Sequence, residues 1–249
     1  MHNRAWDRAG CCGLAIALFA VIALGCSGPK VTTQTSDELP RYQIRVIALM
    51  PFTSLGTPQV RDPADMYLST PQSVKGSDIS LGVPPSVETQ LKQTTTVPSY
   101  AAEKVTQLFW TRLKNRPGIV LLPAAKAAAA KVSTHPDGAV KTSPERQAAD
   151  LAVALKADAA LIGQVLVYQE RSGGKFGANP PATVGFEVKA VATDGQVLWV
   201  GNYYERQKPL TQDFLGFFQH GGVFVTAEEL AQYGATEVLK TFPFGGEAE

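Results

Sequence analysis

Apolar and polar positions along this chain change their spacing several times, and each pattern predicts an element of structure. A short apolar run over residues 44–50 predicts a buried strand. Over residues 99–113 the apolar positions recur at helical spacing with polar residues between them, which predicts an amphipathic helix. A second apolar run at 119–122 predicts another buried strand, and the alanine-rich segment 124–132 predicts a second helix.

The second half of the chain begins with a helix and continues mainly as strands. Ser143 and Pro144 supply an N-cap and a proline at the first helical position. Apolar or alternating segments then predict three strands, over residues 159–168, 183–191 and 197–204.

A turn and a final helix complete the pattern. Asp194-Gly195 predicts a two-residue hairpin turn between the last two strands. Thr226-Ala-Glu-Glu229 is a capping box, and it predicts a final helix that ends near Lys240. The resulting order, β-α-β-α-β-β-β-α, predicts an α/β fold: an α+β sandwich in which helices pack against a mixed sheet.

The first 25 residues have the layout of a secretory signal peptide. Arg4 and Arg8 precede an apolar run over residues 11–24. That run is shorter than the stretch of about 20 apolar residues that spans a bilayer. It ends in Ala23-Leu24-Gly25-Cys26, which resembles the lipobox of bacterial lipoproteins.

The lipobox resemblance implies a membrane anchor. In such lipoproteins the peptide is cleaved before the cysteine, which then carries lipid, so cleavage is expected between Gly25 and Cys26, with palmitate or similar acyl chains on Cys26. An aspartate after that cysteine favours retention in the inner membrane of these proteins. Ser27 stands there instead. The expected location is therefore the outer membrane, with a lipid-anchored protein facing the periplasm.

Composition shifts divide the rest of the chain. Residues 26–41 are polar and without period, and they predict a flexible tether that follows the lipidated cysteine. Residues 42–245 are expected to form a single periplasmic α/β domain. Within it, residues 53–98 are rich in proline, glycine, serine and threonine and predict a long insertion that is either functional or disordered.

Charge and cysteine content argue against nucleic-acid binding and against disulfide bonds. The whole chain has 23 Lys and Arg against 22 Asp and Glu, and loss of residues 1–25 removes two Arg and one Asp, leaving no net charge. A neutral chain offers no electrostatic case for binding nucleic acid. Two of the three cysteines lie in the signal peptide and the third is Cys26, so no disulfide is expected.

Candidate catalytic and metal-binding residues are few. His135 and His220 have no second histidine or cysteine at metal-ligand spacing, so no metal and no cofactor are predicted. His135 lies in a turn sequence, and His220 precedes two glycines that favour a helix end. Asp158 is a single acid at the end of an element, typical of a cap. We therefore predict that the protein is not an enzyme.

Aromatic residues supply a second candidate contact element, beside the insertion at 53–98. They cluster in a segment broken by glycines over residues 209–224. They either pack in the core against the last helix or form an exposed patch for a protein partner. The four members of this cluster are Phe214, Phe217, Phe218 and Phe224.

Three motifs together resemble a known domain. They are Val46-Ile-Ala-Leu-Met-Pro-Phe52, Ala157-Asp158-Ala-Ala-Leu-Ile-Gly163 and a strand running from Asp194-Gly195 to Trp199. This combination resembles the periplasmic domain of curli-type secretion lipoproteins, of lipoprotein activators of penicillin-binding proteins and of flagellar outer-membrane lipoproteins, and it is similar to the TolB amino-terminal domain. The likeness spans roughly residues 44 to 205.

The resemblance implies a non-enzymatic, membrane-anchored factor that binds or assembles an envelope protein partner. Its expected roles are secretion, assembly of surface structures or activation of a cell-wall synthase. One alternative is a homo-oligomeric ring or pore component of a secretion system. The other is a small-molecule-binding or hydrolytic lipoprotein, which would need a convergent polar pocket.

Overall fold

The computed structural model describes residues 30–57, 59–60, 94–134 and 143–246. The helices are α1 (Ser99–Leu113), α2 (Ala124–Thr134), α3 (Pro144–Ala154), α4 (Phe214–Gln219) and α5 (Ala227–Leu239). The strands are β1 (Val31–Thr35), β2 (Val46–Leu49), β3 (Thr53–Ser54), β4 (Gln59–Val60), β5 (Thr94–Thr95), β6 (Val120–Leu122), β7 (Ala159–Gln169), β8 (Gly173–Gly174), β9 (Gly177–Ala178), β10 (Thr183–Ala192) and β11 (Val197–Arg206).

The main sheet is mixed, with strand order β1-β11-β10-β7-β2-β6. Strands β6, β2 and β7 are parallel, whereas β7, β10, β11 and β1 pair antiparallel. β2 reads as a continuous apolar run because it lies inside the sheet and both of its faces are covered. Ile47 and Leu49 point into one core, and Ala48 points into the other.

Helices cover both faces of this sheet. The larger core lies between the sheet and helices α1 and α5, and it contains Phe109, Phe186, Trp199 and Tyr203. The smaller core lies beneath α2 and α3 and consists mostly of alanines, which lets these helices approach the sheet closely. The structure thus confirms the predicted α/β class and the mixed sheet packed between helices.

Local capping signals from the sequence are also present in the structure. The Ser143 hydroxyl accepts a hydrogen bond from the Arg146 amide at 3.2 Å, with Pro144 in the first turn of α3. Thr226 and Glu229 form the reciprocal bonds of a capping box at the start of α5. Such caps satisfy amides that have no partner within the helix.

The prediction of a flexible tether over residues 26–41 needs correction for its described part. Residues 31–35 form β1, which pairs with β11 from Val31 opposite Tyr203 to Thr35 opposite Trp199, and a 3-10 helix follows at Leu39–Arg41. Four of the five β1 residues are exposed. A polar edge strand of this kind gains its order from the ladder rather than from burial, so no apolar period reveals it.

The hairpin between β10 and β11 has a wider turn than the predicted two-residue one. The Ala192 amide donates to the Gln196 carbonyl at 2.9 Å, and the Gly195 amide donates to the Ala192 carbonyl at 3.0 Å. Gly195 has φ of +94°, which suits the left-handed residue of a three-residue loop.

Only the ends of the predicted insertion 53–98 are described. β3 joins the main sheet beside β7, and β4 pairs antiparallel with β5. The two ends of the insertion are therefore held together. The remainder, residues 58 and 61–93, lies outside the described residues.

Candidate functional site

The predicted lipidation site, Cys26, lies outside the described residues, as do Gly25 and His135. The description begins at Lys30, four residues after Cys26. This residue is already held to the domain. The Lys30 ammonium donates to the Gln219 side-chain oxygen at 2.7 Å and lies 2.9 Å from a carboxylate oxygen of Glu205, while the Lys30 carbonyl accepts from the Tyr204 amide.

Helix α4, which ends at Gln219, divides the predicted aromatic cluster into an inner and an outer part. Phe224 is buried and Phe217 is half-buried, and their ring centroids lie 5.5 Å apart. Phe214 and Phe218 are 62% and 56% exposed, and their ring centroids lie 4.9 Å apart. Phe224 is therefore not available to a partner, because its ring is buried in the interior of the domain.

The outer part of the cluster is extended by further apolar side chains, which together we call the aromatic surface. Its members are Phe176, Leu210, Phe214, Leu215 and Phe218, all exposed. Phe176 belongs to the β8–β9 hairpin, which is joined to the end of this segment by a hydrogen bond from the Phe224 amide to the Lys175 carbonyl at 2.7 Å.

Hydrogen bonds fix α4 to the domain. The Asp213 side chain accepts from the Gly216 amide at 2.8 Å and caps the helix. Behind it, the Gln207 side chain donates to the Val223 carbonyl at 2.6 Å and accepts from the Val225 amide at 2.9 Å. Gln207, the residue that follows β11, thus holds the chain on the C-terminal side of α4, while Asp213 caps the start of the helix.

A buried carboxylate lies beneath α4. Glu205, at the end of β11, is 4% exposed and receives hydrogen bonds from the Tyr203 hydroxyl and the His220 Nε2, each at 2.7 Å, in addition to Lys30. Burial alone raises the pKa of Glu205, but hydrogen bonds from His220, Lys30 and Tyr203 outweigh it and leave the pKa lowered. The ionised carboxylate only accepts, so His220 carries its proton on Nε2.

Sequence reasoning missed this cluster, although a signal was present. Trp199 and Tyr203 lie on one face of β11, and Glu205 continues that face at the period of two. A charged residue at a core-facing position indicates a buried partner. His220 itself is where the glycine pattern predicts it, at the C-terminal end of a helix.

A separate cleft of about 480 Å³ opens where β2 ends, beneath α2 and α3. Its walls are largely apolar and include Met50, Phe52, Ala127, Leu151 and Ile162. Crevices beyond the carboxyl ends of parallel strands are the usual ligand sites of open α/β sheets, and this volume lies within their common range.

The rim of the cleft carries an ion cluster. The Lys189 ammonium lies 2.9 Å from Glu187 and 3.1 Å from Glu145. Hydrogen bonds to Glu187 and Glu145 raise the pKa of Lys189, and a backbone amide at the start of α3 together with Lys189 lowers the pKa of Glu145. Both shifts favour the charged forms. General acid–base catalysis needs the opposite, namely groups whose pKa approaches neutrality.

Other acids of the sequence have structural roles. Asp158 accepts hydrogen bonds from the Arg45 and Val46 amides at 2.9 and 2.8 Å and so fixes the start of β2. Glu170 accepts from the Ala227 amide at 3.0 Å, at the first turn of α5. Asp158 is the cap that its position predicts.

Among the residues that the structure describes, no group of three or more His, Cys, Asp or Glu is placed to hold a metal ion. Within the same ranges, no helix combines the length and the apolar character needed to cross a membrane.

Comparison with known proteins finds similarity among solved structures only; no family model and no curated protein matches. The PelC dodecamer from Paraburkholderia phytofirmans is 13% identical, with a TM-score of 0.39, 84% of this chain and 93% of that chain covered. The LpoB C-terminal domain from Salmonella enterica is 12% identical, with a TM-score of 0.34 and coverages of 67% and 85%. Lipoprotein GNA1162 from Neisseria meningitidis is 14% identical, with a TM-score of 0.33 and coverages of 71% and 94%.

One of these three structures, GNA1162, is a lipoprotein. At such identities and TM-scores they carry no argument about the function of this chain.

Proposed function

We propose that this chain is a non-enzymatic lipoprotein, anchored through Cys26 to the outer membrane and facing the periplasm, that binds an envelope protein partner. The observation that carries the proposal is the lipobox-like Ala23-Leu24-Gly25-Cys26, which follows a signal-like apolar run and stands four residues before a folded domain. Acyl chains on Cys26 hold the protein at the membrane because each buried methylene contributes about 0.8 kcal/mol.

The cleft beneath α2 and α3 is the proposed partner site. It has apolar walls and a charged rim, which suit a segment of another protein. Thr53, where the insertion 53–98 begins, lines the same cleft. The predicted insertion therefore begins beside the proposed contact.

The charge state of the rim favours binding over hydrolysis. Glu145 and Lys189 pair with each other, and their pKa shifts keep both groups ionised at neutral pH. A hydrolytic lipoprotein would need an acid or base free to exchange its proton. We therefore place partner binding ahead of catalysis.

Two measurements test the proposal. Mass spectrometry of the mature protein should find the acyl groups on Cys26, and Cys26→Ala should abolish palmitate labelling and release the protein from membranes. An unmodified cysteine in a membrane fraction would overturn the anchor.

Partner binding is tested by photo-crosslinking in cells at two sites on α3. Gln147 lines the cleft, whereas Val153 on the same helix is 59% exposed and lies away from it. We expect a defined adduct with one envelope protein from a photoreactive residue at 147 and none at 153. Adducts only between copies of this chain would favour the homo-oligomeric alternative, and no adduct at 147 would overturn the proposed site.

A further inference from the structure

The aromatic surface stands close to the point where the chain enters the domain. Lys30 bonds Gln219, the last residue of α4, and the outer residues of that helix are Phe214, Leu215 and Phe218. Only four residue steps separate Lys30 from Cys26. Fully extended, they span at most about 14 Å.

That short span restricts where α4 can lie relative to a bilayer. The acyl chains of a lipidated Cys26 occupy the hydrocarbon core, and a headgroup layer of about 5–8 Å covers it. The part of the Cys26–Lys30 span that extends beyond the headgroups is shorter than the diameter of a helix, which is about 10 Å. Since α4 is joined to Lys30 by a bond between the Lys30 and Gln219 side chains, it stays near the membrane surface, and a long reach into the periplasm is excluded for it.

The chemistry of this end of the domain matches a membrane interface. Phe176 is 91% exposed and Leu215 is 62% exposed. Exposure of such large apolar side chains to water is unfavourable. Lys175 precedes Phe176 and Lys208 stands two residues before Leu210, and both of these exposed lysines suit anionic headgroups. Asp213, the acid at the start of α4, is occupied in capping the helix.

We propose that the outer face of α4, formed by Phe214, Leu215 and Phe218, together with Phe176 of the β8–β9 hairpin, inserts into the lipid interface beside the acylated Cys26. The lipid surface, rather than a protein partner, covers these aromatic residues. The domain is thereby held in one orientation, with the end of the sheet that carries Glu205 against the membrane. This inference rests on the proposed lipid anchor.

Contact with lipid can be measured on the lipidated mature chain in vesicles of phosphatidylethanolamine and phosphatidylglycerol. Cys26 is the only cysteine of the mature sequence and its thiol would be blocked by lipid, so a new cysteine can be labelled selectively. Phe218→Cys would carry an environment-sensitive fluorophore on α4. Val153→Cys is the matched control, since Val153 is also on a helix and 59% exposed, against 56% for Phe218.

The two sites lie near opposite ends of β7. Val153 is close to the start of β7, whereas the β8–β9 hairpin follows the end of β7. The 11 residues of β7 span roughly 35 Å. With spin-labelled lipids in the bilayer, we expect at least threefold quenching of the fluorophore at 218 and none at 153. Circular dichroism melting of both variants checks that the exposed substitutions leave the fold intact.

The outcomes separate this inference from the proposed function. A lipidated chain with no quenching at 218, or with equal quenching at both sites, overturns the membrane orientation and leaves the anchor standing. A fluorophore at 218 that is shielded from water but not quenched shows a second copy or another protein on the surface, which also overturns it. A mature chain without lipid on Cys26 overturns the proposed anchor and this inference with it.

Discussion

The carboxylate of Glu205 is surrounded by the hydroxyl of Tyr203, the imidazole of His220 and the ammonium of Lys30. These three donors come from β11, from the end of α4 and from the first described residue of the chain. One buried acid therefore joins the sheet, the aromatic segment and the entry of the chain. Loss of such an acid leaves several buried donors unpaired, which is costly.

Glu205→Gln tests this role. We expect the free energy of unfolding to fall by about 3 kcal/mol at pH 7, because removal of one partner leaves the others uncompensated. The pKa of Glu205 is lowered in the folded state, so its contribution is fully present above its ordinary value of 4.5 and is lost as the pH falls through the folded value.

Urea unfolding of wild type and Glu205→Gln at pH 7, 5 and 3 measures both effects. The difference between the two proteins should be constant from pH 7 to 5 and should shrink toward pH 3. Glu103→Gln, at an exposed position on α1, is the matched control and should change stability by less than about 0.5 kcal/mol. If the difference in unfolding free energy between wild type and Glu205→Gln were as large at pH 3 as at pH 7, the lowered pKa of Glu205 would be contradicted.

Between elements, the packing of α5 on the sheet depends on a close approach. A Cβ placed on Gly234 would lie 2.3 Å from the nearest ring carbon of Tyr203, which is itself 1% exposed. Glycine at this position of α5 lets the helix lie directly on the tyrosine ring. Helix propensity alone would favour alanine there.

Gly234→Ala separates these two effects. Overpacking in a core costs about 1–3 kcal/mol, and the gain in helix propensity is about 1 kcal/mol. We expect a net loss of up to about 2 kcal/mol in the free energy of unfolding, measured by denaturant titration. Gly177→Ala is the control, since a Cβ there meets nothing within 4 Å. A gain in stability for Gly234→Ala would show that Tyr203 moves aside at no cost.

At the scale of the whole molecule, the segment before Tyr42 belongs to the fold. β1 adds five paired residues to the edge of the sheet and covers β11. Without it, β11 would become an unpaired edge, the usual starting point for aggregation. If Cys26 carries the proposed anchor, the reach of the domain is set by the few residues between Cys26 and Lys30, and not by the 16-residue tether that the polar composition predicts.

A mature chain shortened to begin at Tyr42 tests this conclusion. At about 0.5–1.5 kcal/mol for each net hydrogen bond, loss of β1 should lower the free energy of unfolding by about 3–7 kcal/mol and promote aggregation. A chain that begins at Lys30 should match the mature protein in thermal unfolding and in light scattering. Equal stability of the two shortened chains would restore the tether interpretation.

The sequence by itself determined those elements whose signals lie within a few neighbouring residues. The helices α1, α3 and α5 and the strands β7, β10 and β11 follow from periodicity, from the Ser143 and Thr226 caps and from apolar runs, because each signal acts over a few neighbouring residues. The apolar run and lipobox-like sequence before Ser27 carry the anchor prediction in the same way, and the function class came from the resemblance of three motifs.

Tertiary structure alone decided the rest. The pairing of β1 with β11, the burial of Glu205 against Lys30 and the cleft beneath α3 each join residues that are far apart in the chain. A polar strand such as β1 has no period of its own, and the period of two places Glu205 on the core-facing side of β11 without identifying its partners. What orders them is the partner that the fold brings near, and no local pattern encodes that partner.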